Sequence, residues 1–393
     1  MNWLAALLLG PCASPVCNFD TLAPWAAKME TARIAAPGTP PVHILQIGDS
    51  HTAGDTLTGG WRALLQAQAG SGGRGVLPPG RPYAGYLTRG VTASMSPGWQ
   101  IAATFGPGSS VPRPPLGLSS FTLTSITPDA RMGLVAEPAM AFDRFVLCAM
   151  AGTPARSVKV KTVDGVQAID LVSDIVEPRC TALRWETPQT AIEVIADAGP
   201  VVITSWGTFR DQGGVALSNV GIVGSQLLHF ARTDDDVIAK ELRAYAPDLI
   251  VLAFGTNEGF GPWIDAEGYE AELRAQISRL RALAPDVPIL MLGPPDALSR
   301  NIALRSLDAI PCGDGLFAPA GLAQVRAVQR RVAGDLGIAW WDWQARMGGI
   351  CSARRWVASG RMRGDFVHFT SSGGADIAQL LQQDLAQIAI QGR

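Results

Sequence analysis

Two hydrophobic rhythms alternate along the chain. Residues 42–47 are rich in β-branched and aliphatic residues, as a buried strand would be, and Gly48-Asp49 ends the run. Apolar residues then recur at helical spacing over 55–69. The same alternation resumes with a strand at 215–220, helices at 225–232 and 234–245, and an uninterrupted apolar strand at 249–254. It continues through a helix at 269–283, a strand at 287–293, a helix at 321–336, a strand at 338–343 and an amphipathic helix at 373–390. Strands alternating with helices predict a doubly wound α/β/α sandwich around a parallel sheet.

Between the first strand–helix unit and residue 215 the pattern changes. Residues 71–115 are dense in Gly and Pro, as in Gly-Ser-Gly-Gly-Arg-Gly at 70–75, and cannot support long helices. Short strand-like pieces follow at 119–126, 132–135, 144–149, 157–162, 167–172, 182–186, 191–196 and 201–206, with the spacing of an antiparallel β-sandwich. The expected organisation is an N-terminal apolar segment and linker at 1–30, an α/β domain made of 31–72 and 209–393, and an inserted sandwich at 73–208. No repeat period is evident.

Composition narrows the class. With 47% hydrophobic and 17% charged residues, the chain of 393 residues can bury a large core, which argues against disorder. The net charge of −2 comes without a long basic stripe, so nothing points to nucleic acid. The first nine residues are apolar and Ala13 and Ser14 are small, as in a curtailed secretory signal or anchor. This stretch has no Lys or Arg at its start and is too short to span a bilayer. Leu-Gly-Pro-Cys12 is like a lipoprotein cleavage site, but Pro11 stands where a small residue is expected, which argues against lipidation. The six cysteines form no CxxC pair, so no zinc or thioredoxin-like motif is indicated. Their even number and the apolar N-terminus favour an oxidising compartment with Cys312–Cys351 and Cys148–Cys180 bridges; the alternative is six small buried residues in a reduced protein.

Three polar points sit where strands end: Ser50, Gly255-Thr256-Asn257-Glu258, and Asp365-Phe366-Val367-His368-Phe369-Thr370. In a parallel sheet the carboxyl ends of strands share one edge, so residues far apart in sequence meet there. A serine nucleophile needs a base, and the base needs an acceptor that holds its tautomer; Asp365 and His368 can supply both. The plainer reading of Gly-Asp-Ser-His is a helix N-cap. Of the other histidines, His43 and His229 fall on a strand and a helix and suit structural roles, and His51 is constrained by the turn beside Ser50. Asp234-Asp235-Asp236 reads as a helix cap rather than a cation site. The glycines at 70–75 lack the Lys-Ser/Thr ending of a phosphate loop and read as a linker or cleft wall. Trp99, Trp206 and Trp263 could stack on a sugar or serve as packing.

Gly48-Asp49-Ser50, Val220-Gly221-Ile222-Val223-Gly224-Ser225, Gly255-x-Asn257 and Asp365-x-x-His368 occur in the order of the four sequence blocks of the SGNH (GDSL-type) hydrolases. The chain resembles that family, and most closely the peptidoglycan O-acetylesterases, in which a carbohydrate-binding-like, jelly-roll-like β-domain interrupts the hydrolase fold. The resemblance implies that Ser50 is the nucleophile, His368 the general base and then acid, and Asp365 the residue that orients the imidazole. The implied oxyanion hole is the N–H of Ser50, the N–H of Gly224 and the side-chain amide of Asn257. Gly221 competes with Gly224, which is preferred because it directly precedes a helix start. Glu258 replaces the Asp that usually follows the third block, which leaves its role open. The implied activity is removal of O-acetyl groups from a cell-wall carbohydrate, most naturally peptidoglycan, in the periplasm or outside the cell. It needs neither metal nor organic cofactor, and the expected partner is an acetylated glycan, with no nucleic acid and no integral membrane span. Alternatives are an O-acetyltransferase with the same triad and a non-catalytic carbohydrate-binding protein; intact Ser50, Asp365 and His368 argue against the latter.

Overall fold

Strand Val42–Gly48 is buried along its whole length because it lies between two parallel neighbours, Val215–Gly221 and Leu249–Ala253. Ile289–Leu292 and Ala339–Trp341 extend this parallel sheet beyond Leu249–Ala253. The computed structural model describes residues 16–153 and 156–391; the apolar stretch before Val16, with Cys12, lies outside them. Alternate strand residues serve opposite layers: Ile44, Leu217 and Val251 pack with Trp61, Leu65, Ile377 and Leu381, whereas Leu45, Ala216 and Ile250 pack with Ile238, Leu242, Ile277 and Val328. Helices Leu57–Ala69 and Ser371–Gln391 therefore cover one face, and Asp235–Tyr245, Ala266–Leu283 and Ala320–Leu336 cover the other. This is the parallel α/β/α sandwich that the alternation predicts.

Of the parallel strands, the first in sequence, Val42–Gly48, has the second, Val215–Gly221, on one side and the third, Leu249–Ala253, on the other. The chain thus leaves its neighbours in opposite directions, and a crevice opens at its carboxyl end. Ser50 lies two residues past that end. The sequence does not reveal how residues 16–31 are used. Val16–Cys17 forms an antiparallel edge strand on Ala339–Trp341, and Ala23–Thr31 a helix with Trp25 buried, where a linker was expected. A two-residue strand and a helix with little amphipathic contrast leave no periodic signal.

Two antiparallel sheets form the sandwich. One holds Gly165–Asp170, Ser157–Thr162, Ala191–Ala198, Arg131–Ala136 and Val91–Met95. The other holds Glu177–Gln189, Phe142–Ala151, Val202–Phe209, Phe121–Ser125 and Trp99–Ala103, with Gly75–Leu77 beside Val202–Phe209. The strands at 75–77, 91–95 and 99–103 lie in the Gly/Pro-dense region. There the breakers, such as Gly98 at φ 100, turn the chain between short strands rather than exclude them. Disulfides Cys148–Cys180 and Cys312–Cys351 join adjacent sandwich strands and a hairpin to a helix start, respectively.

Buried polar residues weld the sandwich to the α/β layer. Asp55, fully buried, pairs with Arg62 at 3.0 Å and Arg74 at 3.2 Å and accepts the Arg89 backbone N–H at 2.8 Å. Burial alone would raise its pKa, but the two guanidinium groups pull it down to about 2. Glu241 accepts from the Leu118 N–H and from the Thr204 and Ser205 hydroxyls. Acid and bases stay ionised or bonded in the core because each has a partner across the seam.

Candidate active site

The strand–turn–helix at Gly48–Ala53 answers both readings of Gly-Asp-Ser-His. Asp49 is the N-cap of the short helix Ser50–Ala53, its Oδ1 accepting the His51 N–H at 2.9 Å. That leaves the Ser50 hydroxyl free to donate to His368 Nε2 at 3.0 Å. His368 Nδ1 lies 2.9 Å from Asp365 Oδ2, and a carboxylate there holds the proton on Nδ1 and the lone pair on Nε2. Asp365 Oδ1 accepts the N–H groups of Val367 at 2.9 Å and His368 at 3.0 Å. Burial would raise the pKa of this carboxyl, yet these donors and the His368 imidazole outweigh it and keep the pKa low. Phe366, at φ 58, makes the tight turn between them. The structure thus joins Ser50, His368 and Asp365 in one continuous relay.

A second imidazole lies under the first. His51 is buried, with Nδ1 3.3 Å from Asp49 Oδ1 and Nε2 3.0 Å from the Val367 carbonyl oxygen. Its ring stacks on His368 with centroids 5.6 Å apart and packs edge-on against Trp343 at 5.4 Å. Burial would lower its pKa, but the Asp49 carboxylate and the Val367 carbonyl outweigh that and raise it. His51 does not reach the Ser50 hydroxyl; it ties the Ser50 turn to the loop of Asp365 and His368. The sequence signal for this role was available in the Asp49-x-His51 spacing, but the Val367 contact, 316 residues away, was not.

The other two blocks form loops against the same turn. Gly221 closes its strand so tightly that a Cβ there would come within 2.6 Å of the Ala53 nitrogen and 2.7 Å of the Asp49 oxygen. Gly224, at φ 78, is the third residue of a turn closed by Ser225 N–H to Ile222 O at 3.1 Å. The two glycines therefore have different duties, one close packing and one turning. Asn257 Nδ2 donates to the Ser225 carbonyl at 2.9 Å, and Gln226 Nε2 donates back to the Asn257 carbonyl at 3.0 Å. The open role of Glu258 becomes structural. Its carboxylate accepts the Leu227 N–H at 2.7 Å and the Gly255 N–H at 2.9 Å, clamping the second and third blocks together. Burial, opposed by these donors, pushes its pKa up to about 7.

A cleft of about 230 Å³ opens at Ser50 and His368. Tyr83, Gly85 and Leu87, from the segment that enters the sandwich, make one wall, and Val223, Arg363 and Phe369 contribute to the rest. The sandwich also supports the second block: Ile222 is buried with Ala103 and Phe121, and the Phe105 ring stacks on His229 at 4.2 Å. His229 Nδ1 in turn accepts the Gln226 N–H at 2.9 Å, and His43 bonds Tyr245 O and Ser218 Oγ, so both serve structure. Among the described residues no group of three or more His, Cys, Asp or Glu could hold a metal ion. Asp234 sits at the N-cap position but accepts the Leu116 N–H at 2.7 Å instead of capping, and Asp235 pairs with Arg279. Trp99 and Trp206 are core residues, which removes them as sugar platforms, whereas Trp263 is 69% exposed.

The sequence pattern of the GDSL-like lipase/acylhydrolase family matches residues 203–375. Among solved structures, one described as "Peptidoglycan O-acetylesterase in action, 5 min" superposes with a TM-score of 0.80 at 26% identity, covering 96% of this chain and 100% of that one. A family two carbohydrate esterase from Cellvibrio japonicus matches at 14% identity over 77% of this chain and 99% of that one, with a TM-score of 0.29. Another from Clostridium thermocellum, in complex with cellohexaose, matches at 12% identity over 75% and 99%, with a TM-score of 0.31. No curated protein sequence matches this chain. Residues 203–375 carry a GDSL-like acylhydrolase domain, and with the parallel fold this supports an SGNH (GDSL-type) carboxylic ester hydrolase. Within that class it is related to the peptidoglycan O-acetylesterases.

Proposed function

We propose that the enzyme removes O-acetyl groups from a bacterial cell-wall carbohydrate, peptidoglycan before others, through an acetyl-Ser50 intermediate. The observation that carries this is the unbroken Ser50–His368–Asp365 relay at the cleft floor. Likeness to a peptidoglycan O-acetylesterase over nearly the whole chain supports the substrate class. In this reading Ser50 Oγ attacks the acetyl carbonyl while its proton passes to His368 Nε2. Negative charge develops on the carbonyl oxygen, which meets the N–H groups of Ser50 and Gly224 and the second hydrogen of Asn257 Nδ2, whose first is held by Ser225. Loss of one such donor costs about 3 kcal/mol of barrier. His368 then protonates the departing sugar oxygen, and water, activated by the same imidazole, releases acetate. Catalysis of this kind requires no metal or organic cofactor.

The inserted region at 73–208 acts here as a buttress of the second block and as one cleft wall. Two disulfides suit an oxidising compartment, and no helix among the described residues is long and apolar enough to cross a membrane. The disulfides support the reading of a periplasmic or secreted enzyme. The test incubates native protein and Ser50→Ala with 4-nitrophenyl acetate and with acetylated glycan, reads acetate release, and weighs the protein after rapid quenching. Native protein gains the mass of one acetyl group on Ser50 and releases acetate, and Ser50→Ala does neither; equal rates for the two proteins defeat the mechanism. Adding chito-oligosaccharide as acceptor separates hydrolysis from transfer, and predominant sugar acetylation would convert the assignment to an O-acetyltransferase.

A further inference from the structure

Among the described residues, Arg363 is the one formally charged side chain lining the cleft besides the imidazoles of His51 and His368, and no carboxylate is in that lining. It is rooted on the triad loop, its N–H donating to the His368 carbonyl at 2.8 Å and its own carbonyl accepting the Phe366 N–H at 3.0 Å. The stem of this side chain therefore keeps a constant relation to the base. Its neighbours in sequence spend their charge within the protein: Arg346 pairs with Asp384, Arg354 with Asp314 and Arg361 with Asp376. Among the described residues, the Arg363 guanidinium has neither an ionic nor a hydrogen-bonded partner, and it is exposed. The same lining includes the apolar side chains of Leu87, 60% exposed, and Val223, 56% exposed.

An unpaired planar guanidinium beside a nonpolar wall matches a carboxylate with two parallel N–H donors and repels cations. We propose that Arg363 forms a subsite for a carboxylate carried by the acetylated glycan close to the ester, so that the enzyme prefers acidic over neutral acetylated sugars. This rests on the esterase reading of the same cleft and names its substrate class further. The carboxylate has two sources of the same chemistry, an acid borne by the sugar itself or the acid of an attached peptide.

The experiment compares kcat/KM on four O-acetylated substrates: glycan strands with peptides attached, strands stripped of peptide but retaining the sugar-borne acid, stripped strands with that acid amidated, and neutral chito-oligosaccharide. Native enzyme is expected to favour the acidic strands over the neutral ones by about ten- to a hundredfold, the worth of one charge-assisted hydrogen bond. Arg363→Gln reduces that preference to about one, and Arg363→Lys restores part of it. Because the preference is a ratio within each variant, a general loss of activity cancels. Preference retained on peptide-free acidic strands assigns the sugar-borne acid, and preference lost with the peptide assigns the peptide acid. A native enzyme indifferent to the acid, or an unchanged ratio in Arg363→Gln, overturns the subsite. Either result with acetate release still dependent on Ser50 leaves the esterase reading intact, whereas activity surviving Ser50→Ala removes that reading first.

Discussion

Two aspartate–histidine pairs lie side by side at Ser50, their imidazoles lining the cleft with ring centroids 5.6 Å apart, and they differ in access to solvent and in what the second ring nitrogen meets. In the His368–Asp365 pair the side chains are 36% and 46% exposed, and in the His51–Asp49 pair 5% and 1%. Both pairs place a carboxylate against Nδ1. What separates them is the other nitrogen: His368 Nε2 faces a hydroxyl that gives up a proton, and His51 Nε2 faces the Val367 carbonyl, which has no proton to give. In the proposed mechanism the same two residue types form a proton shuttle where the second nitrogen is open and a strut where it is capped. On that reading, adjacency to Ser50 in sequence does not select the base.

That contrast is broken most directly by exchanging each imidazole. His368→Gln is expected to lower kcat on 4-nitrophenyl acetate by about 10⁴-fold or more, as for loss of a triad base. His51→Gln, which keeps bulk but loses one of the two anchors, is expected to lose about ten- to a hundredfold in kcat with little change in KM, the scale of a displaced catalytic loop. Equal losses in the two variants would show that His51 takes part in proton transfer. The carboxylates should follow their partners. Asp365→Asn costs about 10⁴-fold because it permits the wrong tautomer; Asp49→Asn stays within about a hundredfold, and its thermal midpoint falls because Asn still caps the helix but offers His51 no carboxylate.

Glu258 sharpens the same comparison as a buried carboxylate with two backbone donors and no imidazole. Glu258→Gln presents an NH₂ to one of those N–H groups, and an expected fall of about tenfold in kcat, with KM nearly kept, reports displacement of the Gly224 and Asn257 loops. Burial pushes the pKa of its carboxyl up to about 7, and protonation removes one acceptor from the clamp. Native kcat should therefore drop as pH falls through about 7, and Glu258→Gln should lack that component of the profile.

The smallest expected effect concerns stability. The folded-state pKa of His51 lies above its ordinary value of 6.5, so its charged form favours folding. That contribution is complete below about 6.5 and is lost as pH rises through the higher folded-state value. Urea midpoints of native protein and His51→Gln should accordingly converge as pH is raised from 6 toward 9; a constant gap would mean that the His51 contacts act without charge.

Much of this was legible before folding. The aliphatic-rich stretch at 42–47 marks a buried strand, and the uninterrupted apolar run at 249–254 marks one covered on both faces, because such a strand has no solvent side on which to place polar residues. Ser50, Asn257 and His368 stood out because each is polar immediately after, or in a loop far from, such a run. The strands near Val91 and Trp99 escaped notice because turn residues every few positions hide period-two patterning. Arg363 escaped as well, since one arginine among several has no local mark; only the carboxylates facing Arg346, Arg354 and Arg361 distinguish it.

Local sequence by itself determined the alternation of strands and helices, the turn at Gly48-Asp49-Ser50 and the presence of an acid and an imidazole three residues apart at Asp365 and His368. These depend on backbone propensity and burial period, which act over a few residues. Tertiary structure alone decided which histidine meets Ser50, that Glu258 clamps two loops, and that Tyr83 and Leu87 wall the cleft. Those outcomes depend on contacts between segments tens to hundreds of positions apart, where strand order and packing, rather than neighbours in the chain, set the distances.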